Sequence, residues 1–142
     1  PVTVTLGEVL NWDNLREAWR LVKANKGAPG VDEVTIARWE RNWETNLHRL
    51  RAQAQSNTYY PNRPRHFRAL KRGGGYRVFS ILTVTDRVLQ RAALNVLQPV
   101  FEPVFLEASF GYRPERNVAQ AIEYLLQLRD RGYRWVFVRP RK

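Results

Sequence analysis

The stretch K-R-G-G-G-Y-R-V-F-S-I-L-T-V-T-D-R-V-L-Q-R-A-A-L, Lys71 to Leu94, decides the architecture. Glycines 73 to 75 supply the positive φ of a tight turn, so the chain before and after them pairs. One strand is predicted over roughly His66 to Leu70 and its partner over Tyr76 to Leu82, with the turn at Arg72 to Gly75. The period then changes. Thr83 or Thr85 starts a helix over 84 to 98, in which Val84, Val88, Ala92, Val96 and Val100 recur every fourth residue. Leu89, Ala93, Leu97 and Phe101 widen that stripe, Arg87 and Arg91 project from the opposite side, and Pro99 and Pro103 end or kink the helix.

Outward from this block, residues 1 to 9 read as a short arm or edge strand. A helix over 13 to 26 is capped by Asn11 or Asp13, carries Leu15, Ala18, Trp19 and Val22, and stops at Gly27. The G-A-P-G turn, Gly27 to Gly30, leads to Thr35, the N-cap of a helix over 35 to 55 with the stripe Ile36, Trp39, Trp43, Leu47, Leu50 and Ala54. Tryptophans at this spacing, with Trp12 and Trp19, read as packing residues. On the other side, S-F-G-Y-R-P-E-R-N, Ser109 to Asn117, precedes a helix over 118 to 131. Asn117 and Gln120 form its capping box and Gly132 closes it. A last strand is expected over Tyr133 to Val138, followed by R-P-R-K. The fold class is α+β, mainly α, with helices around a glycine-tipped β-hairpin. It forms a single unit over 1–142: helices in 1–57, the hairpin and further helices in 58–138, and a tail in 139–142.

Composition narrows the function. A net charge of +11 favours polyanionic partners. No apolar run approaches the roughly 20 residues of a membrane span and no signal-peptide core is present, so a cytoplasmic protein without a membrane partner is expected. With no cysteine, disulfides, thiol catalysis and cysteine-bound metals are excluded, and two histidines, His48 and His66, make a zinc site improbable. Of 24 basic residues 20 are arginine, a bias that fits phosphate recognition and equally a GC-rich or heat-adapted genome. The acids are scattered: no carboxylate pair suggests a metal, and Ser, His and Asp show no triad spacing, so no catalytic residue, metal ligand or cofactor is assigned.

The charge centre is the hairpin. Arg63, Arg65, Arg68, Lys71, Arg72, Arg77, Arg87 and Arg91 face a single acid, Asp86, and are interleaved with Tyr59, Tyr60, Phe67, Tyr76 and Phe79. Cations hold backbone phosphates and aromatic faces stack bases, so this mixture points to nucleic acid or nucleotide.

Four motifs in order, N-K-G-A-P-G-V-D-E-V-T-I, K-R-G-G-G-Y-R-V-F-S-I-L-T-V-T-D-R-V-L-Q, F-E-P-V-F and S-F-G-Y-R-P-E-R-N-V-A-Q-A-I, resemble the N-terminal fingers region of group II intron-type reverse transcriptases, the intron-encoded reverse transcriptase/maturase family. The resemblance covers nearly everything from Asn25 to Val138. Lys71, Gly74, Arg77, Ile81, Thr83, Asp86 and Arg87 match the family pattern, while Val78, Phe79, Ser80 and Leu82 stand where it prefers P-L-G and P. The resemblance implies that Lys71 and Arg77 hold the triphosphate of an incoming nucleotide. It places the loop bearing Gly27 and Gly30 against the template, and Tyr112, Arg113 and Arg116 beside template and primer. Arg63, Arg65, Arg68, Arg72, Arg87 and Arg91 are the further nucleic-acid candidates. Gly111 and Pro114 have an alternative role in shaping a turn, and Arg113 in capping a neighbouring helix.

Beyond W-V-F-V the family places its first metal-binding aspartate, and here Pro140 occupies that position. Two readings follow. The chain is either the fingers portion of an RNA-directed DNA polymerase, inactive alone because the palm that would bind Mg is absent, or a truncated remnant serving as a basic RNA-binding module. The expected partners are RNA, a DNA primer and, in the first reading, the rest of the polymerase.

Overall fold

A computed structural model describes residues 3–139. Among them the fold is α+β, with six α-helices and one two-stranded antiparallel sheet, divided between two compact units, Pro1–Val100 and Phe101–Lys142. Pro1, Val2 and Pro140 to Lys142 lie outside the described residues, so the expected tail is seen only at Arg139.

The first unit opens with a helix where an arm or edge strand is expected. Helix α1 spans Leu6–Val9, and Thr5 and Glu8 form its capping box. The Thr5 hydroxyl accepts from the Glu8 amide at 3.3 Å, and the Glu8 carboxylate accepts from the Thr5 amide at 2.7 Å. Leu6, Val9 and Leu10 follow the helical period, and Val9 and Leu10 reach the core. Helix α2, Trp12–Ala24, is capped by Asn11, whose side chain accepts from the Asp13 amide. It ends at Ala24 with Asn25 as its C-cap, before the expected boundary. Lys26 rather than Gly27 takes the left-handed conformation, with φ of 46°.

The helix expected over 35–55 is two helices: α3, Ile36–Glu40, and α4, Trp43–Gln55. Hydrophobic spacing is preserved across the break, which is why the stripe reads as one helix. The break falls at Asn42, and the Trp39 carbonyl it frees accepts from the Asn46 side chain at 3.0 Å. Strand β1, Arg65–Leu70, pairs with β2, Tyr76–Ile81, close to the expected boundaries. Of the three glycines, Gly74 and Gly75 have positive φ, 86° and 78°. Helix α5, Val84–Phe101, passes through Pro99, which therefore does not end it. Proline there removes one hydrogen bond, to the Asn95 carbonyl, and the remaining ladder continues for two residues.

The core joins these helices. Leu10, Leu15, Leu47, Leu50, Val84 and Val88 are fully buried, and the Trp19 and Trp39 rings pack at 4.4 Å. The tryptophans of this unit are packing residues. The Trp39 indole also donates to Thr85 at 3.0 Å, and Asn14 donates to the Ala92 carbonyl at 2.9 Å, fixing α3 and α2 on α5.

One buried acid fixes the base of the hairpin. Asp86, 6% exposed, accepts from the Thr83 hydroxyl at 2.6 Å, the Asn62 amide at 3.2 Å and the Tyr59 hydroxyl. Thr83 in turn accepts from the Asp86 amide at 3.1 Å and caps α5. Burial, reinforced by the Asp86 carboxylate, raises the Tyr59 hydroxyl above the ordinary tyrosine range.

In the second unit a single 3₁₀ turn, Glu102–Val104, contains Pro103. Helix α6, Val118–Asp130, has the expected Asn117–Gln120 capping box, with bonds of 2.9 and 3.0 Å. The expected strand over Tyr133 to Val138 is not formed. Its residues satisfy the β pattern, but no partner strand stands beside them among the described residues, and a lone strand leaves its ladder unpaired.

Substitutions at two glycines and at Tyr59 test this arrangement. Gly30 lies against the chain that leads into α5, where an added Cβ would stand 2.6 Å from the Thr83 backbone; Gly30→Ala should cost about 1 to 3 kcal/mol in denaturant unfolding. Gly73→Ala, with open space around it, should stay within about 0.5 kcal/mol of the parent. Tyr59 holds its proton to higher pH when folded than unfolded, so unfolding free energy should fall as pH rises above about 10, where the unfolded tyrosine ionises. Tyr59→Phe should cost on the order of 1.5 to 3 kcal/mol at neutral pH and flatten that alkaline decline.

Candidate nucleic-acid interface

The hairpin register sorts its side chains onto two faces. Directly paired residues share a face, and the pairs Arg65↔Ile81, Phe67↔Phe79 and Ala69↔Arg77 form one. On it the phenyl rings of Phe67 and Phe79 stack at 5.1 Å and 19°, with Arg65 toward the base and Arg77 toward the tip. Successive positions on such a face lie about 6.8 Å apart. Both phenylalanines remain exposed, at 48% and 44%. The other face carries His66↔Ser80, Arg68↔Val78 and Leu70↔Tyr76, with the His66 ring and Ser80 hydroxyl hydrogen-bonded at 3.0 Å.

Lys71 and Arg72 sit in the turn, closed by the Lys71 amide donating to the Gly75 carbonyl at 3.0 Å. Arg63 lies on the lead-in to β1. Arg63, Arg65, Arg68, Lys71, Arg72 and Arg77 are all exposed, and none makes an ion pair among the described residues. The one acid between Arg63 and Arg91, Asp86, is buried and committed to Thr83, Asn62 and Tyr59. The projecting surface is therefore cationic without relief.

Arg87 and Arg91 are placed differently. Both are half-buried, facing the end of α2. Arg87 donates to the Ala28 carbonyl at 2.9 Å and to its own helix at Thr83, at 3.4 Å. Burial lowers its guanidinium below the usual arginine range, with Asp32 acting in the opposite sense. Gly27 lies against that guanidinium, and Gly30 against the Thr83 backbone. Both loop glycines thus have a packing reason to be glycine, apart from any contact with a template.

In the second unit the three candidates also separate. Arg113, with a side chain 8% exposed, binds Glu102 at 2.7 and 2.8 Å and the Leu106 and Ser109 carbonyls at 2.9 Å, and lies over the Phe105 ring. Its fork holds the 102–113 loop together. Arg116 stands over the Phe110 ring at 5.6 Å. Tyr112 is fully exposed on a left-handed backbone, φ 59°.

The amino-acid sequence shows the aromatic residues but not their sorting. The signal for it was available in the alternation of Phe67 with Arg68 and of Phe79 with Val78, once the turn fixed the register. Among the described residues no group of three or more His, Asp or Glu is placed to hold a metal, and no helix is long and apolar enough to cross a membrane.

No protein-family model matches the chain. It is 38% identical over 128 residues to protein YkfC of Escherichia coli (strain K12), a match covering 86% of this chain and 34% of that protein. It is 30% identical over 121 residues to the group II intron-encoded protein LtrA of Lactococcus lactis subsp. cremoris, covering 83% of this chain and 20% of that protein. The chain thus spans about a third and a fifth of these relatives' lengths. Over most of its residues it is related to one region of a group II intron-encoded protein.

Proposed function

We propose that this chain is the fingers portion of a group II intron-type reverse transcriptase, an RNA-directed DNA polymerase, and that its hairpin holds template RNA, primer and the phosphates of the incoming nucleotide. The observation that carries this reading is the hairpin itself: six exposed cations around an exposed aromatic pair, with the neighbouring acid buried at the base. Relationship to a group II intron-encoded protein supports it. A surface of this kind attracts a polyanion, releases its counterions and offers π faces to unstacked bases.

Lys71 and Arg77 take the triphosphate role. Cations aimed at the β and γ phosphates neutralise charge that builds as pyrophosphate leaves, and an arginine fork does so with two directed bonds. Arg63, Arg65, Arg68 and Arg72 contact backbone phosphates, while Tyr112 and Arg116 are the candidate contacts of the second unit by itself. Arg113 and Arg87 serve chiefly to hold loops. Magnesium chemistry belongs to palm carboxylates. Among the described residues no group of three or more His, Asp or Glu stands together to hold a metal.

The test begins with binding. The chain should bind single-stranded RNA or DNA with little sequence preference, since backbone contacts carry no sequence information, and affinity should fall steeply with salt. Removing Arg65 and Arg68 together should lower the slope of log affinity against log salt by about 1.4. Binding that does not respond to salt would refute the reading. In a relative that carries the palm, Ala at the positions matching Lys71 and Arg77 should each cost on the order of 1.5 to 3 kcal/mol, seen as poorer use of limiting nucleotide. Lys at the Arg77 position should also be impaired. Wild-type rates for both Ala variants would leave the hairpin a template surface only. By themselves, these 142 residues should incorporate no labelled nucleotide.

A further inference from the structure

A groove of about 920 Å³ runs between the C-terminal end of α2 and the face of α5 that carries Arg87, Arg91, Leu94 and Leu97. Leu21 and Ala24 of α2 form one wall, and Arg87, Arg91, Leu94 and Leu97 of α5 the other, with no carboxylate among the lining residues. Polarity changes along its length. The α5 side begins with two arginines and ends with two leucines, 43% and 37% exposed. Ten residues of helix separate Arg87 from Leu97, roughly 15 Å, about three helical turns.

The arginines are short of partners. No hydrogen bond or ion pair is made by Arg91 among the described residues, and its Nε is buried without an acceptor. Glu17 acts on Arg91 only through space, its carboxylate being held by Arg20 through two bonds of 2.7 Å. Arg87 donates to backbone carbonyls alone. A buried donor without an acceptor is costly, and a ligand that supplies a carboxylate there recovers that cost.

We infer that this groove is a docking site for an acidic amphipathic helix of a protein partner, with aliphatic anchors on Leu94 and Leu97 and a carboxylate on Arg91. An aliphatic wall suits side chains spaced at i, i+3 and i+7. It does not suit nucleic acid, because it offers bases no aromatic face to stack on. Protein and nucleic acid are thereby assigned to separate surfaces, and the inference stands apart from the hairpin's role.

Fluorescence anisotropy on the full chain tests it with three labelled probes. These are a helical peptide with leucines at i, i+3 and i+7 and glutamates at one end, the same peptide with lysines for glutamates, and a single-stranded RNA. The acidic peptide should bind saturably and the lysine peptide at least about tenfold more weakly. Arg91→Gln and Leu94→Glu should each weaken the acidic peptide by about tenfold or more. Leu94 is partly exposed, and circular dichroism will confirm that the Leu94→Glu variant folds. That variant should bind RNA as the parent does. Failure of both peptides to bind, equal binding of the two, unchanged affinity in Leu94→Glu, or displacement of the peptide by RNA would each overturn the inference. Loss of salt-dependent RNA binding in the parent would instead overturn the hairpin reading and leave this one standing.

Discussion

Asp86 organises the first unit from a position where a carboxylate is costly to bury. Taking its charge out of water is tolerable only because three donors converge on it, from Thr83, Asn62 and Tyr59. Those donors come from both ends of the hairpin. Tyr59 and Asn62 belong to the segment entering β1, while Thr83 follows β2 and caps α5. One carboxylate therefore pins the entry and the exit of the arm to the start of the longest helix. Because the hold is at the base, neither face of the sheet needs to be covered, and the strands stay exposed nearly throughout. A two-stranded hairpin is marginal by itself, so this anchor is what makes a projecting one tenable.

The same site buries the one acid that the sequence places between Arg63 and Arg91 and commits it to internal donors. An arginine count cannot tell a charge that faces solvent from one used inside the protein, and this chain has both kinds. Arg113 is consumed by Glu102 and two carbonyls, and Arg87, one helical turn beyond Thr83, by the Ala28 carbonyl of the loop. Those two shape loops. The hairpin cations make no comparable contacts, so their charge is available to a partner.

Much of this was legible in the residues. Glycines 73 to 75 between two β-rich runs located the hairpin to within a residue or so, because a tight turn leaves few alternatives. Asn117 and Gln120 located the start of α6 in the same way, by reciprocal capping. The equivalent signal at Thr5 and Glu8 was just as explicit, yet a four-residue helix offers too little periodicity to draw attention to it. The break between α3 and α4 was hidden for the opposite reason. Ile36, Trp39, Leu47 and Leu50 keep the same face across Asn42, and hydrophobic period reports the face, not the continuity of the ladder. The strand expected over Tyr133 to Val138 shows that β-propensity describes a surface waiting for a neighbour. As for the site, its charge was legible and its sorting was not. Which arginines are free depends on contacts such as Arg87 with Ala28, made between residues far apart in the chain.

The two hairpin faces bear on how a strand of nucleic acid would lie in the proposed reading. On one face a stacked aromatic pair stands between Arg65 and Arg77, each about one same-face step away. Phosphates flank each nucleotide, so cation, aromatic, cation is the order that meets a backbone while a base rests on the rings. The other face places its single strand cation, Arg68, between the His66–Ser80 and Leu70–Tyr76 pairs, and offers no stacked rings. Arg77 shares the first face and also lies toward the tip, beside the turn that carries Lys71. A nucleotide held there by its phosphates would be next to the base-stacking pair, which joins the two roles proposed for the hairpin in one continuous surface.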